Sequence, residues 1–277
     1  MQNQAKNLVN FGEVILIGSG KGGVGKTLIS VNLSVVLNKM GYRVLIFDLD
    51  VGFTNSDVLL NLHPEHTMND LIKGSCNTFD VITPTGYGPD LVSMGSNIES
   101  IINFNENSVK EFYTHFINIA KNYDYIIIDL PPGYSEVYAP FFTIASHTLV
   151  MTTIHPTSLV NSYTFVKVLI MKGILSNNIH LVGNMIENVQ DSTRTLEQFS
   201  RVLEKFTGEK LGSLTIIKKH HNVEKSIYLR EPFVIKFENI QPSYAVHRIA
   251  SILTKTPIQK EKTKNILERI LSFAVRR

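Results

Sequence analysis

The sequence contains a single cysteine, Cys76. One thiol excludes an intrachain disulfide framework and any four-cysteine zinc or iron–sulfur site held within one chain. No apolar run approaches the ~18 residues that span a bilayer. The N-terminal run Val14–Ile17 is broken at once by glycines, so no secretory hydrophobic region is expected. Internal repeats, low-complexity blocks and Pro/Gly/Ser linkers are also missing. Charged residues make up only 18% of the 277, against 43% hydrophobic, a composition that buries a sizeable core and excludes disorder. The net charge of +3 is too small to mark a nucleic-acid-binding protein, and it is local. Residues 260–277 carry six basic and two acidic residues, net +4, which leaves the other 259 residues at −1. The expected compartment is the cytosol.

Short apolar runs rich in Val and Ile alternate with segments of helical period. Strands are expected at Glu13–Gly18, Arg43–Phe47, Asp90–Met94, Tyr125–Ile128, Thr148–Thr153, Ile179–Met185 and Leu211–Ile217. Helices are expected at Thr27–Met40, 56–61, 67–73, Val109–Lys121, 157–172, 193–206 and 243–254. This alternation predicts an α/β fold, a mostly parallel doubly wound sheet covered on both faces. Residues 1–11 read as an N-terminal extension, 12–256 as one globular domain, and 257–277, after the break at Pro257, as a basic tail.

The most specific pattern is Gly20-Lys21-Gly22-Gly23-Val24-Gly25-Lys26-Thr27, which fits G-x-x-x-x-G-K-[ST] between a strand and a helix. Glycines let backbone N–H groups close around phosphate oxygens, and the following helix adds its positive N-terminal end. Lys26 is expected to reach the β/γ-phosphates of a nucleotide, and the Thr27 hydroxyl to ligate Mg²⁺. Ligands of doubly wound sheets bind outside the carboxyl ends of the strands. Two apolar runs end there in acids, Val44–Phe47 before Asp48-Leu49-Asp50 and Ile126–Ile128 before Asp129. Asp129 occupies the Walker B position for Mg²⁺, and Asp48 is placed to support the Thr27–Mg²⁺ shell. Asp50 is the candidate for positioning the attacking water. The plainer alternative is that each acid caps a turn. Gly133 would let a second switch approach the γ-phosphate.

Lys21, a second lysine inside the loop, makes this the K-G-G-x-G-K-T variant, and the chain resembles the MinD/ParA family of deviant Walker A ATPases to about residue 256. The resemblance implies ATP and Mg²⁺ as ligands and a nucleotide-sandwich homodimer in which Lys21 stabilises phosphate charge in the partner. It also implies the water-positioning role for Asp50 and a contact from Asn184 to adenine. Leu28 departs from the family, which usually has Thr or Asn there to reach the α-phosphate. Iron–sulfur relatives need at least two cysteines per chain.

Within the family, the stretches Asn55–Leu62, Thr67–Gly74 and Thr152–Tyr163 are similar to the FlhG branch (FleN, YlxH) of flagellar-number ATPases. His155 stands where that branch usually has Glu. The segment Asn3–Val9 keeps the Gln, Ala and Leu of the branch's D-Q-A-x-x-L-R motif, which engages the GTPase FlhF, but lacks its acid and its arginine. In the tail, Ile266, Leu267, Ile270, Leu271, Phe273 and Ala274 recur at helical spacing beside Lys264 and Arg269, the pattern of a basic amphipathic helix on a membrane surface. The expected protein is therefore a slow, partner-stimulated ATPase that dimerises with ATP. Peripheral association with the inner face of the cell membrane and flagellar basal-body partners follow from the same resemblance. A MinD-type division-site ATPase and a ParA-type partition ATPase are the alternatives. DNA binding is not favoured, because the domain outside the tail is nearly neutral.

Overall fold

The computed structural model describes residues 12–50, 55–95 and 106–256. The N-terminal segment 1–11 and the tail 257–277, with the readings placed on them, lie outside the described residues. In chain order the strands are β1 (Glu13–Gly18), β2 (Val44–Asp48), β3 (Thr83–Pro84), β4 (Asp90–Ser93), β5 (Tyr125–Asp129), β6 (His147–Thr152), β7 (Ile179–Ile186) and β8 (Ser213–Lys218). The helices are α1 (Lys26–Lys39), α2 (Asn55–Leu60), α3 (Met68–Ile72), α4 (Glu106–Ala120), α5 (Ala139–Ile144), α6 (Pro156–Met171), α7 (Val189–Thr207), α8 (His221–Leu229), α9 (Phe233–Lys236) and α10 (Gln241–Thr254). One sheet runs β3-β4-β2-β5-β1-β6-β7-β8. Every pairing is parallel except β3 with β4, at one edge.

Alternation along each strand sends side chains to the two faces of the sheet. Val14, Leu16, Leu45, Phe47, Ile126 and Ile128 face one layer, where α4, α5, α6 and α7 supply Phe116, Phe141, Val166 and Leu196. Ile15, Ile17, Val44, Ile127, Leu149 and Val182 face the other, where α1, α9 and α10 supply Leu33, Phe233 and Val246. Both faces of the central strands are thereby closed, which is why these strands read as unbroken apolar runs.

The differences from the sequence reading concern short elements. Helix α5, which begins with a Pro at its first turn, was not anticipated, and neither were α8 and α9. Such helices are too short to carry a period of their own. Packing decides them: Phe141 on α5 is fully buried, and Val234 at the start of α9 donates its N–H to the buried Asn32 side chain of α1 at 3.0 Å. Strands β2 and β5 each run one residue further than expected, so Asp48 and Asp129 sit within the sheet rather than after it.

Candidate nucleotide site

Strand β1 ends at Gly18, and the loop that follows crosses the carboxyl edge of the sheet before α1 starts at Lys26. The loop is held at both ends and in the middle. Ser19 donates its hydroxyl to the Lys21 carbonyl at 2.7 Å. Val24 turns its side chain into the core and is 2% exposed. Gly25 caps α1 in the left-handed region, φ 91°, where a side chain would be strained. A Cβ there would also collide with the amide of Asn184. Lys26 and Thr27, in the first turn of α1, are 6% and 8% exposed.

The acids converge on this turn. Strand register pairs Asp48 with Asp129 directly across β2 and β5. Asp129 is fully buried, and neither carboxylate oxygen has a hydrogen-bond partner. Burial, and next the charge of Asp48, push its pKa well above the ordinary carboxylate value; a weak contact with the Thr27 hydroxyl, longer than a hydrogen bond, and the charge of Lys26 act the other way. The Asp48 oxygens are both occupied by backbone donors, Asp50 N–H at 3.1 Å and Ser56 N–H at 3.1 Å. They therefore clamp the chain on either side of residues 51–54. Burial raises the Asp48 pKa to about 6 despite these bonds. Asp50 is half-buried; its pKa is raised by burial and opposed by the charge of Lys26. After β5 the chain turns back onto the loop, where Gly133 N–H donates to the Ser19 carbonyl at 2.8 Å.

A buried carboxylate without partners is costly unless a cation completes it. Asp129 beside the Thr27 hydroxyl, with Asp48 behind, is an all-oxygen set suited to a hard divalent ion such as Mg²⁺. The residues present fit that ion, and the glycine cradle fits the phosphates it accompanies.

The remaining site residues fall on either flank. Lys21 is exposed and donates to the Thr157 hydroxyl of α6 at 3.1 Å, which also contacts His155 Nδ1 at 3.0 Å. Gly20 packs so closely on the backbone of Asn161 that no Cβ fits. On the other flank, a bulge in β7 between Gly183 and Ile186 puts Met185 at φ 57° and turns Asn184 toward the loop. Asn184 Nδ2 donates to the Val24 carbonyl at 2.9 Å. A carbonyl only accepts, so the amide nitrogen must occupy that end and Oδ1 is the group left for a ligand. Leu28 packs against the α1-side core, and its backbone carbonyl accepts from Asn32.

The fold thus brings together Lys26, Thr27, Asp48, Asp50 and Asp129, with Lys21 and Asn184 on the loop's two sides. Sequence reasoning missed Ser19, Ser56 and Thr157. Ser19 adjoins the motif and could have been included, whereas Thr157 lies in a stretch noted only for its resemblance, and nothing in it points to Lys21, 136 residues away.

A loop of this shape, closed by a helix N-terminus and opposed by carboxylates in need of a cation, is built to hold polyphosphate, which places the chain among the P-loop nucleotide-binding proteins. More closely, it belongs to the ParA family: residues 10–254 match the family profile described as NUBPL iron-transfer P-loop NTPase. Among curated relatives it is similar to the antiactivator FleN of Pseudomonas aeruginosa, 28% identical over 89% of this chain and 88% of FleN. It is also similar to the flagellum site-determining protein YlxH of Helicobacter pylori, 26% identical over 99% of each chain. The crystal structure of the cell division ATPase MinD from Pyrococcus furiosus superposes with a TM-score of 0.71 at 24% identity, covering 88% of this chain and 99% of MinD. MinD complexed with Mg-ADP from Pyrococcus horikoshii gives 0.68 at 21% identity, covering 88% and 96%. At these identities the two solved structures establish the fold alone.

Proposed function

We propose that this chain is a MinD-like ATPase whose ATP-dependent dimerisation and membrane association regulate the number or placement of flagella. The observation that carries the nucleotide part of this reading is Asp129, a fully buried carboxylate with two unpartnered oxygens beside the first turn of a phosphate loop. The flagellar part is supported by similarity to FleN and YlxH over nearly the whole of each chain.

In this reading the backbone N–H groups of Gly20–Gly25 receive the phosphates, and Lys26 sets its ammonium against the β/γ oxygens. Thr27 and Asp129 hold Mg²⁺, and Asp48 supports that shell while its oxygens accept from the Asp50 and Ser56 N–H groups. Mg²⁺, when bound, neutralises phosphate charge. Asp50 orients the water that attacks the γ-phosphate. The Asn184 Oδ1 accepts from the amino group of adenine, its orientation set by the Val24 carbonyl. Lys21 leaves Thr157 to reach the phosphates of the second protomer, a cation supplied in trans. Turnover is slow and partner-stimulated. The amphipathic tail anchors the ATP dimer on the inner face of the cell membrane, two weak anchors gaining avidity. The N-terminal segment engages an FlhF-like GTPase, and basal-body components are the further partners.

Deleting the gene and counting and placing flagella by electron microscopy tests this, with cell division scored in the same field. Altered flagellar number or position with normal division is expected. Normal flagella with minicells or lost DNA would refute the flagellar role and move the ATPase to the division-site or partition branch.

A further inference from the structure

Helix α8 ends in three consecutive apolar side chains that the fold leaves in solvent. Ile227 is 41% exposed, Tyr228 88% and Leu229 41%. Helix α2 is tied to this end of α8 by a hydrogen bond from Arg230 Nη1 to Asn61 Oδ1 at 2.5 Å, and it adds Val58, 57% exposed. Soluble surfaces avoid such runs unless the run binds something. Nor is this a loose end of chain. Ser226 just before it and Pro232, Phe233 and Val234 just after it are buried. Arg230 N–H donates to the Ile227 carbonyl and Glu231 N–H to the Ser226 carbonyl, both at 3.1 Å. The tip is thus a projecting turn held at both sides.

Shape and charge together say what the tip meets. The cavity beside it, between Leu28, Leu59, Ile227 and Pro232, measures about 10 Å³, room for one water at most. No groove there receives a partner's side chain, so the tip itself must enter its partner. Arg230 takes the helix-ending position at φ 54°, in the left-handed region that favours glycine, and so sets a guanidinium beside Leu229. Lys225 lies one turn before Tyr228 and Leu229 on the same side of the helix, exposed and with no ion pair among the described residues. The acid on that side, Glu224, spends its charge on Lys219 of the preceding turn. Aliphatic side chains and a tyrosine set among cations suit the headgroup layer of an anionic bilayer. Nucleic acid would take up the cations but leave Ile227 and Leu229 in water.

We infer that the tip of α8 is a lipid-binding surface: Ile227, Tyr228 and Leu229 enter the headgroup layer of an anionic membrane while Lys225 and Arg230 meet its phosphates. This puts a contact on the folded domain, and it rests on the membrane association proposed above but not on the amphipathic tail.

The chain has no tryptophan, so Tyr228→Trp in the full-length protein places a single fluorescent reporter at the tip. Vesicles of phosphatidylglycerol and phosphatidylethanolamine, with ATP and Mg²⁺, are expected to shift its emission to the blue, and brominated acyl chains to quench it. Phe206→Trp is the control, at a residue 72% exposed on α7 in the other layer, and its emission should not move. The full-length double variant Tyr228→Ser, Leu229→Ser should partition onto these vesicles about tenfold less than wild type. Lys225→Glu should partition about fivefold less. ADP affinity within twofold of wild type reports that each variant is folded. An unmoved tip reporter on vesicles that the wild type binds overturns the inference and leaves the tail as the anchor, and unchanged partitioning of the double variant overturns it as well. A wild type that does not bind the vesicles refutes both this inference and the membrane association. Equal shifts from the tip and the control mean non-specific adsorption and overturn it. A tip reporter that answers to a short DNA duplex, or to protein concentration alone, rather than to vesicles also overturns it, and assigns the tip to nucleic acid or to a second copy of the chain.

Discussion

Replacing Asp129 by Asn should stabilise the nucleotide-free protein while abolishing its response to Mg²⁺. Asp129 is fully buried, its oxygens lack partners, and Asp48 stands opposite it in register. The cost of such an arrangement can be gauged from Asp48, whose pKa rises from 3.8 to about 6. That rise corresponds to ~3 kcal/mol. Its sign is set by linkage: a carboxyl pKa raised by folding contributes stability that is fully present below the unfolded value and lost as pH rises through about 6. At pH 7.5 the pair is therefore a net burden on the apo fold. Asn keeps the shape of Asp129, removes its charge and relieves Asp48, but leaves a polar group buried. The expected gain is ~2 kcal/mol at pH 7.5, a rise in Tm of roughly 5 °C for a chain of this size. At pH 5 the gain should shrink, because protonation relieves the wild type as well. Thermal unfolding in EDTA, with ADP, and with ADP and Mg²⁺ measures both halves. Wild type should gain ~2.7 kcal/mol from ligand at a hundred times its Kd. The variant should show the same ADP shift with or without Mg²⁺. A variant less stable than wild type in EDTA, or one that keeps the Mg²⁺-dependent shift, would refute the assignment of Asp129 as an uncompensated cation ligand.

Other perturbations address the loop, its second lysine and a remote histidine pair. Gly25→Ala should weaken ADP binding by about a hundredfold in calorimetry with the fold retained, since a side chain at φ 91° costs ~1–3 kcal/mol and also displaces Asn184; near-normal affinity would show that the loop tolerates a side chain there. Lys21→Ala should leave ADP binding by the monomer within about threefold but lose ATP-induced dimers in light scattering, as expected of a cation that acts in trans; parallel loss of ADP affinity would place Lys21 in its own site instead. His180, at the foot of β7, contacts His147 Nδ1 at 3.0 Å and Ser213 Oγ at 2.8 Å, and burial, then His147, lower its pKa to about 4. The native state thus resists a proton that the unfolded chain accepts near 6.5, so stability falls with pH between these values, by ~2 kcal/mol from pH 8 to pH 5. Urea unfolding of His180→Asn should lack this component of the acid loss, and an unchanged pH dependence would show that His180 does not carry it.

The fold and the centre of the site were legible because both are local signals. Each central strand is five or six residues long and built on a short unbroken apolar run, and the phosphate loop is contiguous from Gly20 to Thr27. The carboxylates Asp48 and Asp129 could be named because a parallel sheet puts every strand's carboxyl end on one edge, so position along the chain already implies position at the site. Direct orientation was not legible. Asn184 lies 160 residues from Val24, yet the carbonyl of Val24 decides which end of its amide is free. Thr157 receives Lys21 only because α6 starts beside the loop. Even Asp48, carried to the sheet edge by its strand, is spoken for by two backbone N–H groups that no pattern announces. A motif and a hydrophobic period are properties of neighbours in the chain, so the sequence alone determined the sheet, the loop and the identity of its lysines and acids. Which of those groups are paired, free or aimed at a partner depends on close packing between distant segments, and only the tertiary structure decided that.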